Sequence, residues 1–199
     1  PRTRMGVEQV IRDALTEAER YAAAQAAYEN GERDAPPPHS ERMEVLAGVL
    51  AGEVEVHCHS YRADEILMLM RVLDDFGVEH ITFQHVNEGF KIAPELAEFG
   101  AGASIFSDWW AYKFEVYYST AYNAAILTEN GVVTSINSDS AELNRHLYHE
   151  AAKSQRYGQL TDDQALALIT INPARQLGIA DRVGSIEVGK DADLALFNA

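Results

Sequence analysis

One cysteine, Cys58, stands in 199 residues, so no disulfide can close within the chain. Basic residues are scarce: 16 Lys and Arg face 31 Asp and Glu, for a formal charge of -15. With no clustered basic face to meet phosphates, nucleic acid is excluded as a natural partner. No apolar run is long enough to cross a bilayer as a helix, so no membrane partner is expected either. Nor do the first residues given read as a secretory leader. The chain opens on Pro1-Arg2-Thr3 and stops at Phe197-Asn198-Ala199, so we expect it to be a piece of something longer, with its compartment undetermined. What remains is a globular profile, 47% hydrophobic and 24% charged.

The informative pattern is a change of period. Val54, Val56 and Cys58 alternate with Glu55, His57 and His59, as on a strand with one apolar face. Cys58 then reads as a small buried thiol pointing away from the histidines. Next, Ile66, Leu67, Leu69, Met70, Leu73 and Phe76 mark one side of a helix that stops at Gly77. Upstream, residues 6–30 form a helix with Val7, Val10, Ile11, Ala14, Leu15 and Ala18 at helical spacing. A stiff Pro36-Pro37-Pro38 connector follows, and Ser40 caps a second helix with Met43, Leu46, Ala47 and Leu50 inward.

Downstream the strand–helix pattern repeats. Strands are predicted over 79–85, 102–107 and 132–137, each followed by a helix, over 93–99, 121–130 and 142–157. Strands alternating with helices imply a parallel sheet with right-handed crossovers. Thr161-Asp162-Asp163-Gln164 reads as a capping box opening a helix with Ala165, Leu166, Leu168 and Ile169 inward. Residues 182–197 read as two strands around Gly189-Lys190-Asp191.

His59, His85 and Asp139 stand at equivalent points of these units. His59 and His85 are 26 residues apart, near the roughly 31 residues that a (β/α)₈ barrel spends on each unit. Asp139 follows about two units later. All three side chains can therefore project from the C-terminal rim of one parallel sheet, where barrel enzymes keep their sites.

Four segments carry a resemblance to a known family. They are His59-Ser60-Tyr61-Arg62-Ala63-Asp64-Glu65-Ile66, Gln84-His85 with Glu88-Gly89-Phe90-Lys91, Ser138-Asp139-Ser140, and Thr170-Ile171-Asn172-Pro173-Ala174 followed by residues 183–193. Together they resemble the amidohydrolase superfamily, in its imidazolonepropionase-like branch. The resemblance implies an α/β fold: the C-terminal half of a (β/α)₈ barrel, about four βα units over residues 1–178, with residues 179–199 returning to a small β-sandwich. It implies one or two divalent metals, Zn²⁺ or a similar ion, with His59, His85 and Asp139 as ligands. The family's His stands seven residues before the helix-opening Ile, here Ile66, which selects His59 over His57. His57 stays a second candidate, either as a ligand itself or as a partner that orients one. The family's His-x-His of the first strand and its bridging residue of the fourth have no counterpart in this chain.

The function so implied is metal-assisted hydrolysis of an amide or cyclic amide C–N bond in a small molecule. Asp139 would orient the attacking water, accept its proton and pass it to the leaving nitrogen, and His85 would hold metal or polarise the carbonyl. Tyr61 and Arg62, on the same rim, are candidates for binding a substrate carboxylate. Plainer readings stand beside these: Asp139 as a helix cap, His85 as a buried hydrogen-bonded imidazole, Arg62 in a loop salt bridge with Asp64 or Glu65. A metal-independent isomerase or lyase on the same barrel, or a non-catalytic fragment, are the alternative functions. The expected partner is a second copy of the chain or the missing N-terminal half of the barrel.

Overall fold

The computed structural model describes residues 1–196, and the chain packs as two compact units. The first combines Pro1–Val56 with Asp64–Ile81. Its longest element is α1 (Arg4–Glu29), where the Thr3 hydroxyl accepts from the Gly6 amide. In α2 (Glu41–Leu50), Ser40 accepts from the Met43 amide, the N-cap its sequence predicts. Ala18 and Tyr21 of α1 pack with Met43 of α2, flanked by Leu46 and Leu50. In α3 (Ala63–Asp75) the buried stripe is Ile66, Leu69, Met70, Val72 and Leu73. Arg4 pairs with Glu65, and Arg12 with Asp75 at 2.7 Å, which ties α1 to α3.

The second unit, His57–Ala63 and the residues from Thr82 onward, carries nearly all of the sheet. Its strands are β1 (Val56–Ser60), β2 (Ile81–His85), β3 (Gly102–Ile105) and β4 (Thr134–Ile136). They lie side by side in chain order. β2 and β3 pair in parallel from Thr82↔Gly102 to His85↔Ile105, and β3 and β4 from Ala103↔Thr134 to Ile105↔Ile136. The registered pairs bring the C-terminal ends of β2, β3 and β4 to one rim. β3 and β4 are buried throughout, as strands covered on both faces are. β1 alternates instead, with Val56 and Cys58 half-buried and His57 and His59 exposed.

Short helices α4 (Ala93–Phe99), α5 (Asn123–Glu129), α6 (Leu147–Gly158), α7 (Asp162–Ala167) and α8 (Ile171–Gln176) complete this unit. Buried Gln176 fastens α8 to the sheet. Its amide donates to the Val133 and Ala103 carbonyls (2.7 and 3.2 Å), and its carbonyl accepts from Ser135 (2.6 Å). Thr161 and Gln164 form the reciprocal capping box of α7.

Several expectations need correction. The helix expected over 142–157 begins as a 3₁₀ turn, Leu143–His146, before α6 takes over. Leu166 lies on the open side of α7, 58% exposed. Cys58 is half-buried, with its Sγ 3.4 Å from the Ser60 hydroxyl. Residues 182–196 form turns and irregular backbone instead of two strands, and Phe197 lies outside the described residues. A strand exists only with a ladder partner, and here the segment closes on itself: the Asp191 amide donates to the Arg182 carbonyl at 2.8 Å. Gly184 packs so tightly on α8 that a Cβ there would stand 2.9 Å from the Ile171 Cα.

Candidate active site

The C-terminal ends of β1 and β2 put two imidazoles in contact. His59 Nδ1 lies 2.7 Å from His85 Nε2, so one ring donates a single shared proton and the other accepts it. His59 is exposed, whereas His85 is 3% exposed. Burial first, and then repulsion from His59, lowers the His85 pKa below the ordinary histidine value; Asp139 and Asn137 pull the other way. His85 Nδ1 and Asn137 Oδ1 are both buried without a well-formed hydrogen bond.

The backbone at this rim is strained. His85 has φ +76° and Val86, a β-branched residue, φ +40°; each such residue costs on the order of 1–3 kcal/mol. The turn is over-determined by its neighbours. The Val86 amide donates to the Ser60 carbonyl at 2.9 Å, and its carbonyl accepts from Asn123 at 2.9 Å. Asn123, itself buried, also accepts from the Phe90 amide at 2.9 Å. Asp139 is a third left-handed residue, φ +44°, just past β4. Strain at two strand ends of one rim is where a reacting constellation is expected.

Asp139 is exposed, and its charge reaches His85, Tyr61 and Tyr112. The capping task that Asp139 was a candidate for falls to Ser140, whose hydroxyl accepts from the Glu142 and Leu143 amides at 3.3 and 3.2 Å. His57 stands on the same face of β1 as His59, bonded through Nδ1 to the Gln84 amide nitrogen at 3.0 Å. Arg62 is half-buried and engaged.

A ladder of rings brackets His85. Tyr61 stacks on it with centroids 5.0 Å apart, and Phe106 at 4.6 Å; Trp109 stacks on Phe106 at 4.6 Å. Each such pair is worth about 0.5–1.5 kcal/mol beyond its buried area. Phe106 is absent from the sequence-derived candidates, since nothing in a lone Phe after a strand separates a site wall from core. Glu88 has a definite place as well. Buried at 8% exposure, it accepts from the Ala63 amide that opens α3 (3.0 Å) and pairs with Lys91 (2.7 Å). Beyond β3, the Ser107 hydroxyl donates to buried Glu150, whose partner Lys153 (2.9 Å) also reaches Asp108 (3.1 Å). This network holds the loop that carries Trp109.

Two imidazoles in contact, one kept neutral by burial, with a carboxylate in electrostatic reach, have the donor chemistry of a Zn²⁺-type site. They fit part of a ligand set. Among the described residues, no group of three His, Cys, Asp or Glu side chains stands close enough together to hold a metal ion.

The model of the amidohydrolase family matches residues 14–199. The amidohydrolase tasK of Hapsidospora irregularis is 30% identical over 212 aligned residues, covering 100% of this chain and 21% of its own length. An imidazolonepropionase of Thermoplasma acidophilum is 34% identical over 79 residues, 39% of this chain and 19% of its own. Among solved structures, an amidohydrolase from Thermotoga maritima superposes with a TM-score of 0.89 at 32% identity, over 97% of this chain and 50% of that one. An adenosine deaminase from Xanthomonas campestris, solved with bound zinc, shares the fold at 23% identity and a TM-score of 0.55, over 77% of this chain and 38% of its own. The chain thus spans about a fifth of the length of these two curated relatives and half of the solved amidohydrolase. Its four βα units are half of a (β/α)₈ barrel.

Proposed function

The chain belongs to the amidohydrolase family, and from that premise we propose that the protein is a metal-dependent hydrolase of an amide or cyclic amide C–N bond. The observation that carries the reading is the contact of His59 and His85, 2.7 Å apart at the ends of neighbouring strands. His59 and His85, with Asp139, are the residues that would hold one or two divalent ions, Zn²⁺ or similar. Such an ion supplies polarisation of a carbonyl and activation of water at neutral pH.

The chain's own residues do the rest. His85 is buried, stacked between Tyr61 and Phe106, and its lowered pKa keeps it an uncharged ligand. Asp139, exposed on the rim, takes a proton from the attacking water and delivers it to the leaving nitrogen. His57, through Gln84, steadies the strand face that bears His59. Tyr61, Phe106 and Trp109 wall the site and limit solvent access.

Two measurements on the full-length protein test this. Metal analysis should find one or two divalent ions per chain. Asp139→Asn should lower amide hydrolysis by about 100-fold or more, with an unchanged circular dichroism spectrum, because an exposed carboxylate contributes little to folding. Full activity in that variant refutes the mechanism.

A further inference from the structure

We infer that Asn87 is a positioning residue: its side chain clasps both ends of the loop 109–119 and, through Trp109, holds the ring ladder on His85. The part played by His85 rests on the hydrolase reading above; the clasp does not.

The loop after β3 has little to hold it. Its regular structure is one 3₁₀ turn, Phe114–Val116. Trp110, Tyr112, Phe114, Tyr117 and Tyr118 stand 50–74% exposed, and Ala111 adopts a left-handed φ of +66°. Val116 alone plugs the middle of the loop, at 0% exposure. A segment this poor in buried contacts opens easily unless its ends are tied.

One amide ties them. Asn87 is 4% exposed, and its Nδ2 donates to the Trp109 carbonyl at 3.3 Å and to the Ser119 hydroxyl at 2.7 Å. A backbone carbonyl only accepts, so the nitrogen and not the oxygen of Asn87 must face Trp109. The Oδ1 atom is buried without a hydrogen-bond partner among the described residues. What the side chain contributes is therefore its two N–H donors, which an aspartate lacks. The left-handed pair His85 and Val86 stands directly before Asn87. The turn that carries His85 to the rim thus also delivers the clasp.

The clasp reaches the imidazole through ring contacts. Trp109 stacks on Phe106 with centroids 4.6 Å apart and 14° between planes, and Phe106 on His85 at 4.6 Å and 24°. With the start of the loop released, Trp109 leaves Phe106, and Phe106 no longer fixes the ring of His85.

The test is hydrogen exchange of the full-length protein, with NMR of its histidine rings. The amides of Val116, Tyr117 and Ser119 donate to the Lys113, Phe114 and Val116 carbonyls at 3.3, 3.1 and 3.1 Å and report on the loop. One neutral hydrogen bond is worth a factor of about 5 in an equilibrium constant. Asn87→Ala should therefore speed their exchange by about 10- to 30-fold, with β3 and β4 unchanged. Ser119→Ala should give about 5-fold, Ser119→Thr the parent rate, and Ser119→Ala added to Asn87→Ala nothing more. The His85 ring-proton resonance should move downfield as the shielding by Phe106 is lost, while that of His80, at the other end of β2, stays in place. Exchange unchanged in both alanine variants, a rise spread equally over the sheet, or an unmoved His85 resonance overturns the inference. Should Asn87→Ala fail to fold, the two Ser119 variants decide by the same readouts. A protein that passes both readouts but hydrolyses no amide counts against the hydrolase reading and leaves the clasp standing. A metal-dependent amide hydrolase whose loop is indifferent to Asn87→Ala does the reverse.

Discussion

Replacing Glu150 with alanine removes the hub of the network behind the aromatic wall, and the structure lets its cost be worked out. The side chain is 4% exposed, accepts from the Ser107 hydroxyl and pairs with Lys153 at 2.9 Å. Deleting one member of a buried ion pair costs about 3–5 kcal/mol when the other charge is stranded. Here it is not stranded: the Lys153 side chain is 36% exposed and keeps Asp108 at 3.1 Å. Ser107 likewise keeps a 3.3 Å contact with Asp108. The loss is therefore one charge-assisted hydrogen bond, about 1.5–3 kcal/mol, plus about 0.8 kcal/mol for a buried methylene. Glu150→Ala should destabilise by about 2–4 kcal/mol, whereas Glu150→Gln, which keeps the bond and the volume, should cost about 1 kcal/mol. Urea unfolding of the full protein, read by near-ultraviolet circular dichroism with the m-value checked for constancy, measures both. An alanine variant as stable as the parent, or a glutamine variant as damaged as alanine, refutes the reasoning.

Gly158 of α6 lies against α5, where an added Cβ would stand 2.4 Å from that of Ala125. Gly158→Ala should therefore lower the melting temperature through an overpacking cost of about 1–3 kcal/mol, and adding Ala125→Gly should recover part of it; an unchanged melting temperature counts against this packing. The half-exposed Tyr112 is pushed up to about 12, by partial burial first and by the neighbouring Tyr61 second. Because the folded value lies above the unfolded one, its contribution to stability is whole below pH about 10 and fades as pH rises through the folded value. Tyrosinate absorbance should show a late step that Tyr112→Phe deletes, and simultaneous titration of every tyrosine would contradict it. β1 and β4 occupy the outer positions of the sheet, each with one neighbour among the described residues. Open ladder edges invite pairing, so the 199 residues alone should dimerise or aggregate in sedimentation, and a stable monomer argues against a half barrel.

The amino-acid sequence by itself determined whatever short-range chemistry decides. The Ser40 cap, the Thr161–Gln164 box, the α4 span and the order of strands and helices follow from propensity, capping and period, which act within a few residues. It also placed His59 and His85 at strand ends, because a repeat of about one βα unit is a property of the chain. The tail went the other way. Val188 and Leu194 have strand-forming side chains, yet both are exposed and no ladder forms among the described residues, since pairing needs a second strand that local sequence does not supply.

Only the tertiary structure decided which groups meet. Phe106 against His85, Glu150 beneath the β3 loop and Lys113 over Tyr61 join residues from 21 to 52 positions apart, brought together by parallel register and by nothing in their own neighbourhoods. The same is true of the strain at His85 and Val86, which persists because Ser60 and Asn123, on other elements, hold the turn. Local sequence sets what each segment prefers; which of those preferences is overruled depends on contacts that exist only once the sheet has formed.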